Sequence, residues 1–370
     1  MSLTTVEKKS SSTLRLVPSA EQQTAVGALV GCALCLGFIG LLMDGVTLVR
    51  FAVLYLCIIF MAVGMILRRQ QRTIEISVPD RCIYFLGRRK TDVYAIPFGM
   101  VTTLRLTRRN AQGNLVSAEF SPREGSKGRY PFHLDVMLRN SGYETLDRSV
   151  LGPDLAATAL DIAELTGFAI EDEAGVGFSR PERKQYTLVP SAFDNKLPTD
   201  SVLRPYAVNG RQGFTWSLSP GGLYITLMAL ATAGLLYGGG TGFWNASNEG
   251  GSWWAGGTLL VVCGFFAYMV FWRLVRALAG KGFVVWDNES VRFGATIFGK
   301  EYSSVLLELR DVDAVRIAVP RAGKGRIEIV QRSGKSFTAV AVTSPLAPLT
   351  TGELHWLSRV MNRQMLASEV

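Results

Sequence analysis

Residues 25–67 read AVGALVGCALCLGFIGLLMDGVTLVRFAVLYLCIIFMAVGMIL, and Arg68, Arg69 and Arg72 follow at once. No charged side chain interrupts Ala25–Met43, roughly 19 residues, and roughly 17 more run uncharged from Phe51 to Leu67. A helix rises about 1.5 Å per residue and the hydrocarbon slab is about 30 Å thick, so each run has nearly the length of a crossing. Asp44–Arg50 leaves room only for a turn. The stretch predicts a transmembrane hairpin. A second hairpin is predicted at Gly221–Trp272, with Gly238–Trp253 as its loop.

Outside these runs the chain is polar and punctuated like a β-rich domain. A length of 370 residues allows two or three domains. Charged residues make up only 19%, and the mean hydropathy is +0.22, because the apolar excess is concentrated in four runs. The net charge of +9 does not point to nucleic acid, since much of the basic excess flanks the apolar runs and no RNA-binding or zinc-finger spacing occurs. Residues 1–24 are too long and polar for the start of a cleaved signal, so a retained first helix is expected.

The flanks set the expected orientation. Lys8, Lys9 and Arg15 precede the first span, Arg68, Arg69 and Arg72 follow the second, and Arg273, Arg276 and Lys281 follow the fourth. The loop between spans three and four has no Lys or Arg. By the positive-inside rule both hairpin turns face out, and both termini with both β domains face the cytoplasm of a bacterial-type inner membrane.

Alternating segments follow the first hairpin: Thr73–Val78, Cys82–Leu86, Val93–Ile96, Val101–Thr107, His133–Leu138 and Glu144–Val150. An amphipathic helix over Pro153–Thr166 closes them, burying Leu155, Ala159, Ile162 and Ala163. The second half repeats the order with Gly282–Trp286, Ser290–Phe293, Leu306–Leu309, Val312–Val319, Arg326–Arg332 and Ser336–Val342. Its closing helix opens on a capping box, Thr350-Thr-Gly-Glu353. Two details argue for an internal duplication. Residues 96–106 align ungapped with 307–317 with apolar residues in register, and Leu16-Val-Pro-Ser-Ala20 recurs as Leu188-Val-Pro-Ser-Ala192.

The strand and basic turn Ile83-Tyr84-Phe85-Leu86-Gly87-Arg88-Arg89-Lys90, then the step Ile96-Pro97-Phe98 leading to Val101, resemble the bacterial pleckstrin-homology-like membrane proteins. The second copy keeps the apolar register but has Glu308 where the first has Pro97. The resemblance implies a seven-strand barrel-like sheet capped by a helix, and a binding role without catalytic residues. The expected fold is therefore an α+β membrane protein: four transmembrane helices as two hairpins, each followed by a pleckstrin-homology-like β domain closed by a C-terminal helix. Its divisions are a cytoplasmic segment 1–24, hairpin 25–67, domain 68–170, linker 171–220, hairpin 221–272 and domain 273–370.

The candidate sites are basic loops. Arg88, Arg89 and Lys90 form one; Arg321, Lys324 and Arg326 form a second, and both suit anionic headgroups or a protein partner. Arg105, Arg108 and Arg109 form a third cluster. Gly27 and Gly31, with Gly234 and Gly238, are small-residue pairs expected to pack the two hairpins together or to join separate chains. The acidic run Glu171-Asp172-Glu173 is expected to be solvated linker, and His133 and His355 to be structural. Cys32-Ala33-Leu34-Cys35 is either helix packing or, in an alternative reading, a redox pair. No metal site, cofactor or catalytic group is expected. The function expected is that of a membrane scaffold, assembly factor or accessory subunit. Its partners are lipid and a protein of a membrane complex, a second copy of the chain included; the alternatives are a module for anionic lipid and the redox protein.

Overall fold

The computed structural model describes residues 4–10, 12–42, 47–87, 92–109, 132–149, 151–174, 176, 197, 200–208, 210–218, 222–248, 253–321, 324–342 and 347–366. They are mixed α+β, with three sheets and six α-helices, and fall into two compact units. The first comprises the described residues of Met1–Ser201, Leu309–Pro345 and Thr350–Val370, and the second those of Val202–Glu308 and Leu346–Leu349. This division cuts across the sequence repeat.

In the first unit, β1 (Thr4–Ser10), β2 (Thr13–Pro18), β3 (Thr73–Ser77), β4 (Cys82–Leu86) and β5 (Val93–Pro97) make an antiparallel meander. The helices α1 (Ala20–Leu42) and α2 (Thr47–Gln70) are inserted between β2 and β3, whose register runs from Thr13↔Ser77 to Leu16↔Ile74. The hairpin is thus the connection between two neighbouring strands. Leu14, Leu16, Ile74, Ile76, Ile83 and Phe85 alternate along β2–β4 and are buried, the period of a sheet with one face on a core. The segments 1–24 and 171–220, expected to be non-sheet, contribute β1 and β2 and, in the second unit, β10 (Arg204–Val208) and β11 (Arg211–Ser217). The repeat at Leu188–Ala192 lies outside the described residues.

A 3-10 turn at Phe98–Met100 leads to β6 (Val101–Arg108), β7 (Phe132–Leu138) and β8 (Tyr143–Ser149), closed by α3 (Gly152–Thr166). Pro153 opens that helix and left-handed Gly167 ends it, its N–H reaching Ala163 O. β9 (Ile170–Asp172) then returns parallel to β6. Further along the chain, a 3-10 turn at Leu309–Asp311 leads to β15 (Val312–Arg321), β16 (Lys324–Gln331), β17 (Ser336–Val342) and α6 (Thr351–Leu366). The ungapped alignment of 96–106 with 307–317 places one 3-10 turn on the other. The capping box forms: Glu353 N–H donates to Thr350 Oγ1, and Glu353 Oε2 accepts from Thr350 N at 2.8 Å. Ser201 donates to the same carboxylate at 2.6 Å.

The two sets of strands share one sheet, ordered β17-β16-β15-β8-β7-β6-β9. The joint is a short parallel pairing of β15 with β8, Ala318↔Tyr143 and Val319↔Glu144. Asn140 Nδ2 reinforces it by donating to Val315 O at 3.3 Å, an oxygen that also accepts from Asn362 Nδ2 of α6 at 3.0 Å. Gly142, in the turn before β8, lies so near that a Cβ would reach within 3.0 Å of Ile317 N.

The second unit holds the meander β10, β11, β12 (Gly280–Trp286), β13 (Ser290–Ile297) and β14 (Lys300–Glu308), with α4 (Gly222–Asn248) and α5 (Trp253–Ala279) inserted between β11 and β12. Two helices, over Ala20–Gly40 and Gly256–Ala279, are long and apolar enough to cross a membrane. The helices outrun the expected spans: α4 continues to Asn248, through most of the expected loop, and α5 continues past Trp272, so that Arg273 and Arg276 belong to it.

A Cβ on Gly27, Gly31, Gly234 or Gly238 would meet nothing within 4 Å, so these pairs do not pack the helices of either hairpin together. Close approach runs through Gly37 (3.2 Å to Cys57 Sγ) and Gly64 (3.1 Å to Val30 Cγ2) in the first hairpin. In the second it runs through Gly239 (2.8 Å to Cys263 Cβ) and Gly256 (2.8 Å to Ala246 Cβ). The glycines that matter lie where the facing helix arrives, which four-residue spacing along one helix does not reveal.

A side chain at Gly142 must push β15 away from the turn. Gly142→Val is expected to cost about 1–3 kcal/mol, the range for overpacking, read as a lowered midpoint in thermal unfolding of the detergent-solubilised chain.

Candidate functional site

A cluster of buried charge in the first unit is built at the foot of the first hairpin. Two residues separate α2 from β3, and the second is Arg72. Its guanidinium donates to Glu144 Oε1 and to the backbone oxygen of Thr145, both on β8, and to Tyr94 Oη on β5 at 3.1 Å. Glu144 is 0% exposed. Tyr94 Oη donates to its Oε1 at 2.8 Å, and His355 Nε2, on α6, lies 2.8 Å from its Oε2. Flat groups are stacked beside these bonds. Arg72 lies 4.8 Å over the Phe85 ring, Phe85 stacks on Tyr94 at 4.7 Å, and Tyr94 stacks on His355 at 4.7 Å.

The electrostatics follow from this geometry. Burial pushes the Glu144 carboxyl up, but Arg72 and the hydrogen bond from His355 outweigh it and hold its pKa below the ordinary value. Burial lowers His355, and the Glu144 bond only partly restores it, so the imidazole is neutral near pH 7 and donates through Nε2–H. Burial and then Glu144 push the Tyr94 phenol well above its usual range. Arg72 stays charged: burial works against the charge, and Glu144 more than offsets it. The cluster is one cation, one anion and two neutral donors, with both carboxylate oxygens engaged.

A second network occupies the opposite face of β8. Asp135 Oδ2 accepts from Arg109 at 2.6 Å and from Thr107 at 3.0 Å, while Oδ1 accepts from Thr145 Oγ1 at 2.5 Å. Arg109 also lies 4.1 Å over the Tyr143 ring. Thr145 joins the two networks, its backbone oxygen in one and its hydroxyl in the other. His133 is buried nearby on β7 with Nδ1 lacking a partner, and burial lowers its pKa to about 4.

A carboxylate that holds three donors and lies below its ordinary pKa is a weak base, and the space around it is small. The cavity beside Arg72, lined also by Gln22, Gln70 and Gln71, has a volume of about 60 Å³, and that beside His355 and Ser358 about 20 Å³. The second has room for about one water. The arrangement is suited to fastening the hairpin's foot to β5, β8 and α6.

The residues singled out in the sequence fall elsewhere. Arg88, Arg89 and Lys90 lie outside the described residues. Arg321 and Lys324 face each other across the β15–β16 hairpin, and Arg326 is paired with Glu328 on its own strand. The third basic cluster is spent internally. Arg105 pairs with Glu171 at 2.9 Å and Glu173 at 3.1 Å, so that acidic run lies beside β6, with Glu171 and Asp172 in β9, and its glutamates stay half-exposed. Arg109 holds Asp135. Cys32 and Cys35 are free and exposed on α1. Among the described residues no group of His, Cys, Asp and Glu has the arrangement of a metal site. Sequence reasoning passed over Glu144, Tyr94 and Arg72 as a set. No signal in the sequence of β8 singles out Glu144, because Asp147 and Arg148 stand on the same strand and Leu146 is its one aliphatic residue. Compared with known families and with curated proteins, the chain matches no family model and no protein.

Removing the Glu144 carboxylate leaves the largely buried Arg72 guanidinium without its counter-ion. Glu144→Ala is expected to cost about 3–5 kcal/mol, and adding Arg72→Leu should recover part of that loss in thermal unfolding. Stability should also fall with acidity. Between pH 6.5 and about 4 the unfolded chain takes a proton on His133 that the folded chain refuses, so its contribution is complete above pH 6.5 and is lost toward pH 4. His133→Gln should flatten that decline in melting temperature against pH.

Proposed function

We propose that this chain is a non-enzymatic integral membrane scaffold, or an accessory subunit of a membrane complex, that holds sheet modules at the cytoplasmic surface for a protein partner. All four long helices cross the bilayer as two hairpins, with their turns outside. The observation that carries this reading is the way each hairpin is inserted between adjacent strands of a meander, so that both of its legs are continuous with one sheet. A flexible tether would leave a sheet free to rotate about its anchor. Two legs entering neighbouring strands, one of them fixed by the Arg72–Glu144 pair, hold it in one orientation and raise its effective concentration toward a neighbour in the same membrane.

Basic flanks support the orientation, with Arg68 and Arg69 in the last turn of α2 and Arg276 in that of α5. A protein partner is favoured over a purely lipid ligand because the charges of Arg105, Arg109 and Arg326 are already met by carboxylates within the fold. Among the described residues β17 is an edge strand of the seven-stranded sheet, the kind of strand whose outer backbone groups such a partner would use.

Alkaline phosphatase fused between α4 and α5, within residues 249–252, should be active outside the cytoplasm of a bacterial host, and the same fusion after residue 334 inactive. A tagged full-length chain, cross-linked in cells before mild solubilisation, should bring down one partner in constant ratio. Active phosphatase at both positions overturns the orientation. A chain recovered without any cross-linked protein, across several detergents, overturns the scaffold reading.

A further inference from the structure

We propose that the β13–β14 turn of the second unit is a second membrane contact, with Phe298 inserted into the interfacial layer of the bilayer that α5 enters; this rests on the reading of α5 as a membrane span. Phe298 is 78% exposed, and its backbone has φ +51°. A bulky residue in the left-handed region is uncommon, and here it shows most of an aromatic ring to solvent. Gly299 follows with φ +79°, completing a two-residue turn between Ile297 and Lys300.

Register places this turn. The first residue after α5 is Gly280, which pairs with Ile297 across β12 and β13, and Ile297 pairs with Lys300 across β13 and β14. The turn therefore lies two strands, roughly 10 Å, to the side of the helix foot and at the same level along the strands. Phe298 and Gly299 project beyond that level, on the side from which the helix arrives. A contact supports this position: the Arg276 guanidinium, on the last turn of α5, lies 5.6 Å from the Tyr302 ring on β14 and 5.7 Å from the Trp272 ring on its own helix. The hairpin end and the last helical turn are neighbours.

The composition there is that of an interface. Leu278 is exposed on the last helical turn, and Trp272 and Tyr302 are amphipathic aromatics of the kind that settle at headgroup level. Arg273, Arg276, Lys281 and Lys300 are exposed around them and would meet anionic headgroups. The neighbouring acid, Glu301, is engaged by Arg292. An aromatic tip ringed by cations, level with the end of an apolar helix, fits lipid better than it fits water.

The test uses the full chain with Cys32, Cys35, Cys57, Cys82 and Cys263 replaced, in nanodiscs of phosphatidylcholine and phosphatidylglycerol. A nitroxide is attached at Phe298→Cys, at Val261→Cys within α5, or at Glu289→Cys in the turn at the far end of β12 and β13. Oxygen collision should exceed collision with an aqueous nickel chelate at positions 298 and 261, and the reverse should hold at 289. A water-like label at 298 with a lipid-like label at 261 overturns this proposal and leaves the span intact. A label at 298 shielded from both agents overturns it in favour of protein contact. A water-like label at 261 overturns the span itself, and the insertion with it. If the Phe298→Cys chain is not recovered folded, Lys300→Cys in the same turn gives the same readout.

Discussion

The ion pair between Arg72 and Glu144 is the contact on which the arrangement of the first unit depends. Burying two charges costs several kcal/mol per ion, and attraction between them compensates only when the remaining donors and lone pairs are also satisfied. Here Tyr94 and His355 supply the missing donors to the carboxylate, and Thr145 O takes a guanidinium N–H. The participants come from the foot of a helix hairpin, from two sheets and from α6, at positions 72, 94, 144 and 355. None of these elements can shift without leaving the buried Glu144 carboxylate short of a donor or the Arg72 guanidinium short of its counter-ion. The pair therefore converts a hairpin that could pivot at its foot into a fixed extension of the sheet.

The same constraint is met differently in the second unit. Neighbouring strands lie about 4.8 Å apart, whereas packed helices lie about 8–10 Å apart, so the legs of an inserted hairpin must splay as they leave the sheet. In the first unit Gln71 and Arg72 take up that splay, and the second of them becomes the clamp. In the second unit α5 passes into β12 with no residue between them. Gly280 is the point of passage: a Cβ there would press on the backbone oxygen of Arg276 and come within 3.0 Å of Leu218 Cδ1. One leg is fixed by a buried charge, the other by continuity of backbone.

Much of the element order was legible because it rests on local pattern. Period-two alternation marked β3–β8 and β12–β17, and the Thr350–Glu353 box marked the start of α6. The strands that were missed are β1, β2, β9, β10 and β11; of these β2 and β11 pair with strands beyond a helix hairpin, and β1 and β10 only add to them at the sheet edge. β2 carries its alternation openly in Leu14 and Leu16, both buried, but a polar segment ahead of an apolar run reads first as a topology signal. β10 is exposed along most of its length and contains Pro205, so no pattern betrays it. The site was less legible for a related reason. Charges that looked available as basic clusters are consumed by carboxylates brought from elsewhere in the chain, Glu171 and Glu173 by β9 and Asp135 by β7. Spacing along the sequence reports neither the partners nor the burial.

The parallel joint between β8 and β15 explains why this core is polar. Only two residue pairs register it, Ala318↔Tyr143 and Val319↔Glu144, and apolar packing alone would tolerate a slip by two residues that keeps the same faces inward. Hydrogen bonds to single atoms do not tolerate it. His355 meets Glu144 Oε2 and Asn140 Nδ2 meets Val315 O, so a slipped joint would break both bonds that cross it. Glu144 and Thr145 point to opposite faces of β8, which binds the clamp on one face to the Asp135 network on the other. An apolar core of equal volume could match this one in stability, but it would not select the register that joins the two halves of the sheet.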